Sequence, residues 1–181
     1  MAPLLASDRQ RSQATMTADL TIRISLARKS GGSGFKELNP PIWRRFRVCS
    51  AVNLDLLADK IMSPVMGWER NYHTYLFRKL ADGAANDDDR PDVVYLQEDT
   101  QATDLMHATG VHVEGRSTEP PESVTIGDLL QEVGQQCLYT YDLGDSWHHV
   151  LTLESIETGN ISIGNGAVVL EISPLAMARL Y

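Results

Sequence analysis

The chain has 181 residues, of which 43% are hydrophobic and 22% charged, and its formal net charge is −8. This length and composition predict one globular domain with a buried core and exclude a fully disordered chain. The negative charge disfavours non-specific nucleic-acid binding, which needs a positive surface. No apolar run approaches the ~18 residues of a membrane span. Two cysteines are too few for a disulfide scaffold or a four-cysteine zinc site. We therefore expect a soluble cytoplasmic protein, with a nuclear location as the alternative.

Residues 1–19 lack the continuous apolar stretch of a signal peptide and are expected to form a disordered tail, with a transit peptide as the alternative. Residues 20–26 and 42–49 then alternate in polarity, and this period of two predicts two half-buried strands. A loop rich in glycine and serine joins them, so an antiparallel hairpin is expected. On the second strand the alternation separates Arg44 from Arg45 and Arg47.

Asn53 is placed to cap a helix, because apolar residues follow it at helical spacing. Pro64 is expected to kink or end this helix at about Met62 or Ser63. Residues 73–80 predict a third strand, and the acidic segment 81–103 predicts a solvated loop.

Thr125 and Asp128 have the spacing of a capping box and predict the start of a second helix. The apolar face of this helix would include Val133, and Gly134 is placed to end it. The polarity pattern after this helix predicts a hairpin of strands 137–141 and 147–156.

The hairpin turn runs from Asp142 to Asp145, with Gly144 available for a positive φ. Residues 167–172 predict a last strand, followed by a short tail at 173–181. Together the elements predict one α+β domain over 20–172, in which an antiparallel sheet of about five to six strands, including two hairpins, packs with two main helices.

No phosphate loop, nucleotide fingerprint, HExxH motif or G-x-S-x-G elbow is present, so no cofactor is predicted. Histidine with carboxylate suits zinc, iron or manganese. However, no two histidines stand at i, i+4 spacing, and the neighbours His148 and His149 face opposite sides of a strand. Structural histidines are therefore the alternative, and no metal ligand is assigned. Asp142 and Asp145 could act in acid–base chemistry or simply stabilise a turn.

Three arginines, at 44, 45 and 47, stand beside Trp43 and Phe46. Such a stripe can bind phosphates and stack bases. The alternation splits it between two faces, and pairing with the many carboxylates of the chain explains it as well.

Several blocks of the sequence carry a resemblance to a known family. They read PPIWRR at 40–45, MGW at 66–68, YHTYLF at 72–77, DLMH at 104–107, VTIGDLL at 124–130 and YTYDLGDSWHH at 139–149. In order and spacing, from about 20 to 156, the chain resembles the plasmid pRiA4b ORF-3-like proteins. The YHTY and DLMH blocks look like the eukaryotic branch, whose members are sometimes fused to MYND-type zinc fingers.

The resemblance implies a compact α+β fold and no established chemistry, although family members have been called transposon-associated or recombinase proteins. Two departures stand out. Family members commonly continue past the last hairpin into a segment containing Cys, Pro and Gly, whereas this sequence ends at 181. Pro64 also interrupts a helix that usually runs unbroken to the Gly-Trp pair.

The residues shared with the family allow two interpretations. In the first they are structural: His149 bonds to Asp142 or Asp145, and the large side chains anchor the core, namely Trp43, Trp68, Tyr141 and Trp147. In the second, polar side chains converge on one cleft, namely Arg44, His73, His107, Asp142, Asp145 and His149.

Three functions follow as hypotheses. The first is a non-catalytic binding module with a protein partner. The second is a metal-assisted nuclease- or recombinase-like enzyme, and the third is a nucleic-acid-binding module.

Overall fold

The computed structural model describes residues 18–30, 34–70, 74–80, 93–96, 117–158 and 167–172. These residues confirm the α+β class, because one long helical segment packs on a nine-stranded, mostly antiparallel sheet. The strands are β1 (Ala18–Lys29), β2 (Phe35–Glu37), β3 (Trp43–Cys49), β4 (Tyr75–Lys79), β5 (Val93–Leu96), β6 (Ser117–Glu119), β7 (Gln136–Tyr141), β8 (Trp147–Thr158) and β9 (Ala167–Ile172).

The strand order is β6-β5-β4-β7-β8-β1-β3-β9, and β2 pairs with the end of β1. Both predicted hairpin pairings are present, β1 with β3 and β7 with β8. The count exceeds the expected five to six because β2, β5 and β6 have only three or four residues each, too few to show a period of two. β5 lies inside the segment expected to be an acidic loop, and β1 begins at Ala18, inside the expected tail. The rest of both segments lies outside the described residues.

The main helix, α1 (54–66), consists of an α-helical turn at Leu54–Leu56, a π-helix at Leu57–Met62 and a second α-helical turn at Ser63–Met66. Asn53 caps it as predicted, since its Oδ1 accepts the N–H of Leu56 at 2.8 Å.

Pro64 is expected from the sequence to kink or end the helix at about Met62 or Ser63, but it does not end α1; the helix changes there from a π-turn to an α-turn. The π-turn before it directs the N–H of Ser63 to the carbonyl of Ala58, five residues back. This widened turn accommodates the proline ring and its missing N–H at a place where a regular α-helix would break. The helix therefore continues to Met66 and stops at Gly67, whose φ of 78° is left-handed.

The second helix, α2 (Ile126–Leu129), is a single turn rather than a main helix. Its capping box is present, with Thr125 and Asp128 bonding reciprocally as the spacing predicts. Leu130 is already extended, so Val133 is not on a helical face and is 62% exposed. Gly134 takes a φ of 94° and donates its N–H to the Leu153 carbonyl, which attaches this loop to β8. Helical periodicity over so short a segment could not distinguish one turn from three.

The core lies between α1 and one face of the sheet. It combines helical side chains with inward-facing strand residues, of which the fully buried ones include Leu20, Ile22, Ile24, Phe46, Leu54, Leu57, Met62, Phe77, Leu151 and Leu153. Cys49 and Cys137 are both buried and free, as their apolar surroundings predict. Among the described residues, no helix is long and apolar enough to cross a membrane.

Gly127 lets α2 pack closely against the turn after β3. Its N–H donates to the Ser50 carbonyl at 3.0 Å, and a Cβ at this position would lie 2.9 Å from both the Cβ and the carbonyl oxygen of Ser50.

We predict that Gly127→Ala destabilises the protein by about 1–3 kcal/mol because of this backbone clash. The sign is informative, since alanine is ordinarily favoured over glycine in a helix by about 1 kcal/mol. Denaturant unfolding measures the change, and Glu122→Ala in the adjacent exposed turn is the control, expected within about 0.5 kcal/mol of the parent. A Gly127→Ala protein as stable as the parent would contradict this packing.

Candidate functional site

Arg44 lies on the helix-covered face of β3, paired with Ile24 of β1, while Arg45 and Arg47 lie on the opposite face. Its side chain extends to the end of α1, where Nη1 is 3.7 Å from the sulfur of Met66. Arg44 is only 9% exposed, and this burial lowers the pKa of its guanidinium. No carboxylate among the described residues pairs with it. Arg44 is therefore a largely desolvated cation whose hydrogen-bond acceptor is the thioether sulfur of Met66.

His149 lies on the same face of β8 and is fully buried. Its Nε2 accepts a hydrogen bond of 3.1 Å from the indole Nε1 of Trp68, so the proton of the neutral ring belongs on Nδ1. Nδ1 itself makes no hydrogen bond to the described part of the chain. The pKa of His149 is lowered to about 3, chiefly by burial. The Tyr139 and Trp147 backbone opposes this shift, and the nearby charges of His148 and Arg44 contribute to it. His149 is therefore neutral near pH 7.

Three aromatic rings form a layer beside His149. Trp68 stacks on Tyr141 with ring centroids 5.2 Å apart and lies 5.5 Å from the ring of Trp147. The hydroxyl of Tyr141 donates to the carbonyl of Glu69 at 2.9 Å, which holds the chain after α1 on the sheet. Tyr141 and Trp147 face each other across the hairpin as predicted, but Trp147 remains 41% exposed. It is thus a surface ring that packs on the partly buried Trp68 rather than a core anchor.

The hairpin turn is stabilised by Asp142 rather than Asp145. The Oδ1 atom of Asp142 accepts the N–H groups of Gly144 and Asp145 at 3.0 and 3.3 Å. Asp142 and Ser146, not Gly144, have positive φ, of 54° and 56°. Aspartate tolerates this region because its short side chain bonds locally. Asp145 is exposed, and its carboxylate makes no hydrogen bond with the described residues.

The polar candidates therefore separate. Arg44 and His149 share one region of the helix-covered face, whereas Asp142 and Asp145 belong to the turn. The expected bond from His149 to one of these aspartates is replaced by the bond to Trp68. His73 and His107 lie outside the described residues. Within the described ranges, no three His, Cys, Asp or Glu side chains are grouped so that they could hold a metal ion.

Trp43 lies on the face opposite α1, where the guanidinium groups of Arg23 and Arg45 stand 5.1 and 5.4 Å from its ring. It does not anchor the core beneath α1. The arginines of this face form ion pairs across the strands, namely Arg23–Glu37, Arg45–Glu154, Arg45–Glu171 and Arg47–Glu157.

A model of the plasmid pRiA4b ORF-3-like proteins matches residues 34–170, well over half of the chain. The chain belongs to this family. The match confirms the resemblance carried by the blocks between 40 and 149. No protein with a curated description matches.

This pRiA4b ORF-3-like chain is also similar to a solved structure, a protein of unknown function from Methanosarcina mazei Go1. The two are 19% identical, with a TM-score of 0.56, and the similarity covers 87% of this chain and 71% of the other. At this identity the likeness supports the fold alone.

Sequence reasoning singled out Arg44 and His149 but missed what surrounds them. Met66 and Glu69 were not candidates, although Met66 contacts Arg44 and the Glu69 carbonyl binds Tyr141. The MGW block at 66–68 was the available signal, since it places a tryptophan directly after a helix end.

The first prediction from this site concerns the turn. Asp142→Ala removes two hydrogen bonds and places alanine at positive φ, where it lacks the local side-chain bond that aspartate makes. We therefore expect the free energy of unfolding to fall by about 2–3 kcal/mol. Asp145→Ala, the matched control, should change stability by less than about 0.5 kcal/mol. Asp142→Asn keeps an acceptor oxygen and should retain much of the stability. Thermal and denaturant unfolding measure these changes in stability. Equal losses of stability in Asp142→Ala and Asp145→Ala would refute the assignment of the turn to Asp142.

The second prediction concerns acid stability. An ordinary histidine has a pKa near 6.5, and His149 has about 3 in the folded protein. Between about pH 3 and 6.5 this histidine is protonated more in the unfolded chain than in the folded protein. The free energy of unfolding therefore falls as the pH drops below about 6.5. From pH 7 to 5 the loss should be about 2 kcal/mol. His149→Gln should remove most of this dependence and His148→Gln should not. An unchanged pH profile in His149→Gln would disprove the buried neutral state.

Proposed function

We propose that this chain is a non-catalytic binding module that contacts a protein partner through the surface around Trp147. The observation that carries the proposal is that Trp147 is 41% exposed while its ring packs on Trp68. Tryptophan is enriched among the residues that dominate binding energy at protein interfaces. A ring already held in place loses little conformational entropy when a partner binds it.

The hydrogen bonds that His149 and Asp142 already make within the fold support a non-catalytic role. His149 accepts the Trp68 bond and stays neutral, so it is a poor proton donor near pH 7. Asp142 is occupied by the turn amides. Neither group is left in the position of a general acid or base.

The two alternatives rest largely on residues that lie outside the described ranges or that are paired with carboxylates. The metal-assisted nuclease- or recombinase-like function rests in part on His73 and His107. Nucleic-acid binding rests on Arg44, Arg45 and Arg47. Of these, Arg45 and Arg47 are paired with carboxylates that reduce their attraction for phosphate. We propose a cytoplasmic location, with the nucleus as the alternative; the buried free thiols Cys49 and Cys137 fit a reducing compartment.

The test compares partner binding by Trp147→Ser with that of the parent. The immobilised full chain should retain a partner protein from a cell extract at near-equal stoichiometry, and Trp147→Ser should lose at least ~90% of it, the scale of a hot-spot residue. Val133→Ser is the matched control, because Val133 is an exposed apolar side chain on a different loop. Its binding should equal that of the parent.

Equal retention by the parent and Trp147→Ser would remove the support for this surface. A purified-protein activity that is lost in His149→Gln or Asp145→Asn, with folding intact, would overturn the non-catalytic assignment.

A further inference from the structure

Among the described residues, the buried guanidinium of Arg44 has no counter-ion. An arginine has five N–H donors and no acceptor, and a thioether sulfur is a weak acceptor. The bond from Nη1 to Met66, the one that Arg44 makes within the described part of the chain, therefore leaves most of its donor capacity unused. Removing a cation from water without pairing it costs free energy.

Other arginines of the chain contrast with Arg44. Arg45, the next residue along β3, pairs with two carboxylates, and Arg70 pairs with Asp59 close to the end of α1. Arg44 has no such partner among the described residues although it is more buried than either.

The guanidinium is also within reach of a ligand. Arg44 lies near the start of β3 and the end of α1, at the rim of the core rather than in its centre. Arg44 also keeps 9% of its surface exposed, so the residue is not sealed from solvent. The neighbouring His149 is neutral, and no described carboxylate competes for the site.

We propose that Arg44 binds an oxyanion, a carboxylate or a phosphate group, carried by the ligand of this module. A planar guanidinium presents parallel N–H donors that match either group in a two-point contact, and charged hydrogen bonds of this kind are about twice as strong as neutral ones. The anion would supply the missing counter-ion. The inference deepens the proposed function by naming the chemistry of the partner, but the anion site can be tested alone.

The test is a thermal melt of the full chain with sodium phosphate or sodium acetate, against sodium chloride at matched ionic strength. At a concentration ten times Kd, one of the two oxyanions should raise Tm by about 3–6 °C more than chloride does. The phosphate and acetate arms distinguish the two sources of the group.

Arg44→Gln should abolish this rise, Arg44→Lys should keep part of it, and Arg45→Gln on the opposite face should keep all of it. In chloride alone, Arg44→Gln should melt at or above the parent temperature, since it removes a desolvated cation. This second readout separates a ligand site from a structural arginine, whose loss would lower Tm.

The proposal is overturned if neither oxyanion stabilises the parent beyond chloride, or if the stabilisation survives in Arg44→Gln. Either result would leave the proposed binding function standing if partner retention still depends on Trp147. In a further arm, phenyl phosphate is incubated with the protein and should be recovered unchanged. Hydrolysis that depends on Arg44 would instead refute the non-catalytic function while retaining the anion site.

Discussion

The hydrogen bond from Trp68 to His149 joins the end of α1 to the centre of the sheet. It satisfies the fully buried Nε2 of His149 with the indole N–H of the partly buried Trp68, and loss of Trp68 would leave this nitrogen unpaired at a cost of about 1–3 kcal/mol. Because Trp68 follows the helix end directly, this bond sets where α1 stops over β8. The position of Met66 beside Arg44 and the support beneath Trp147 both depend on it.

The two faces of β3 show how one strand keeps different electrostatic environments apart. On the outer face, Arg45 and Arg47 pair with glutamates that remain partly exposed, and such pairs each contribute little to stability. On the inner face, Arg44 is largely desolvated beside the buried apolar residues Ile24 and Met66. Since adjacent residues point to opposite sides, the pairing that neutralises Arg45 cannot reach Arg44.

The parts of the fold that could be predicted from sequence are those set by local chemistry. The Asn53 cap, the capping box at Thr125 and the hairpin before β8 each depend on residues within a few positions of one another. The contacts that define the site do not, since Trp68 and His149 are 81 positions apart. Helical periodicity also gives no sign of the π-turn that carries α1 past Pro64, because a π-turn changes which carbonyl is used and leaves the apolar spacing nearly intact.

Burial of the charged Arg44 side chain lowers the stability of the domain, although the same charge would bind an anion. A residue whose only task was to fill this rim could be apolar, and an apolar side chain would pack against Met66 without a desolvation cost. The protein instead has a cation there, beside the apolar core of β1, β3 and α1. A site of this kind is most stable when occupied, so binding an anion at Arg44 would also rigidify the helix end that carries Trp68. Anion binding at Arg44 would then be coupled to the position of Trp147 through the Arg44–Met66 and Trp68–Trp147 contacts.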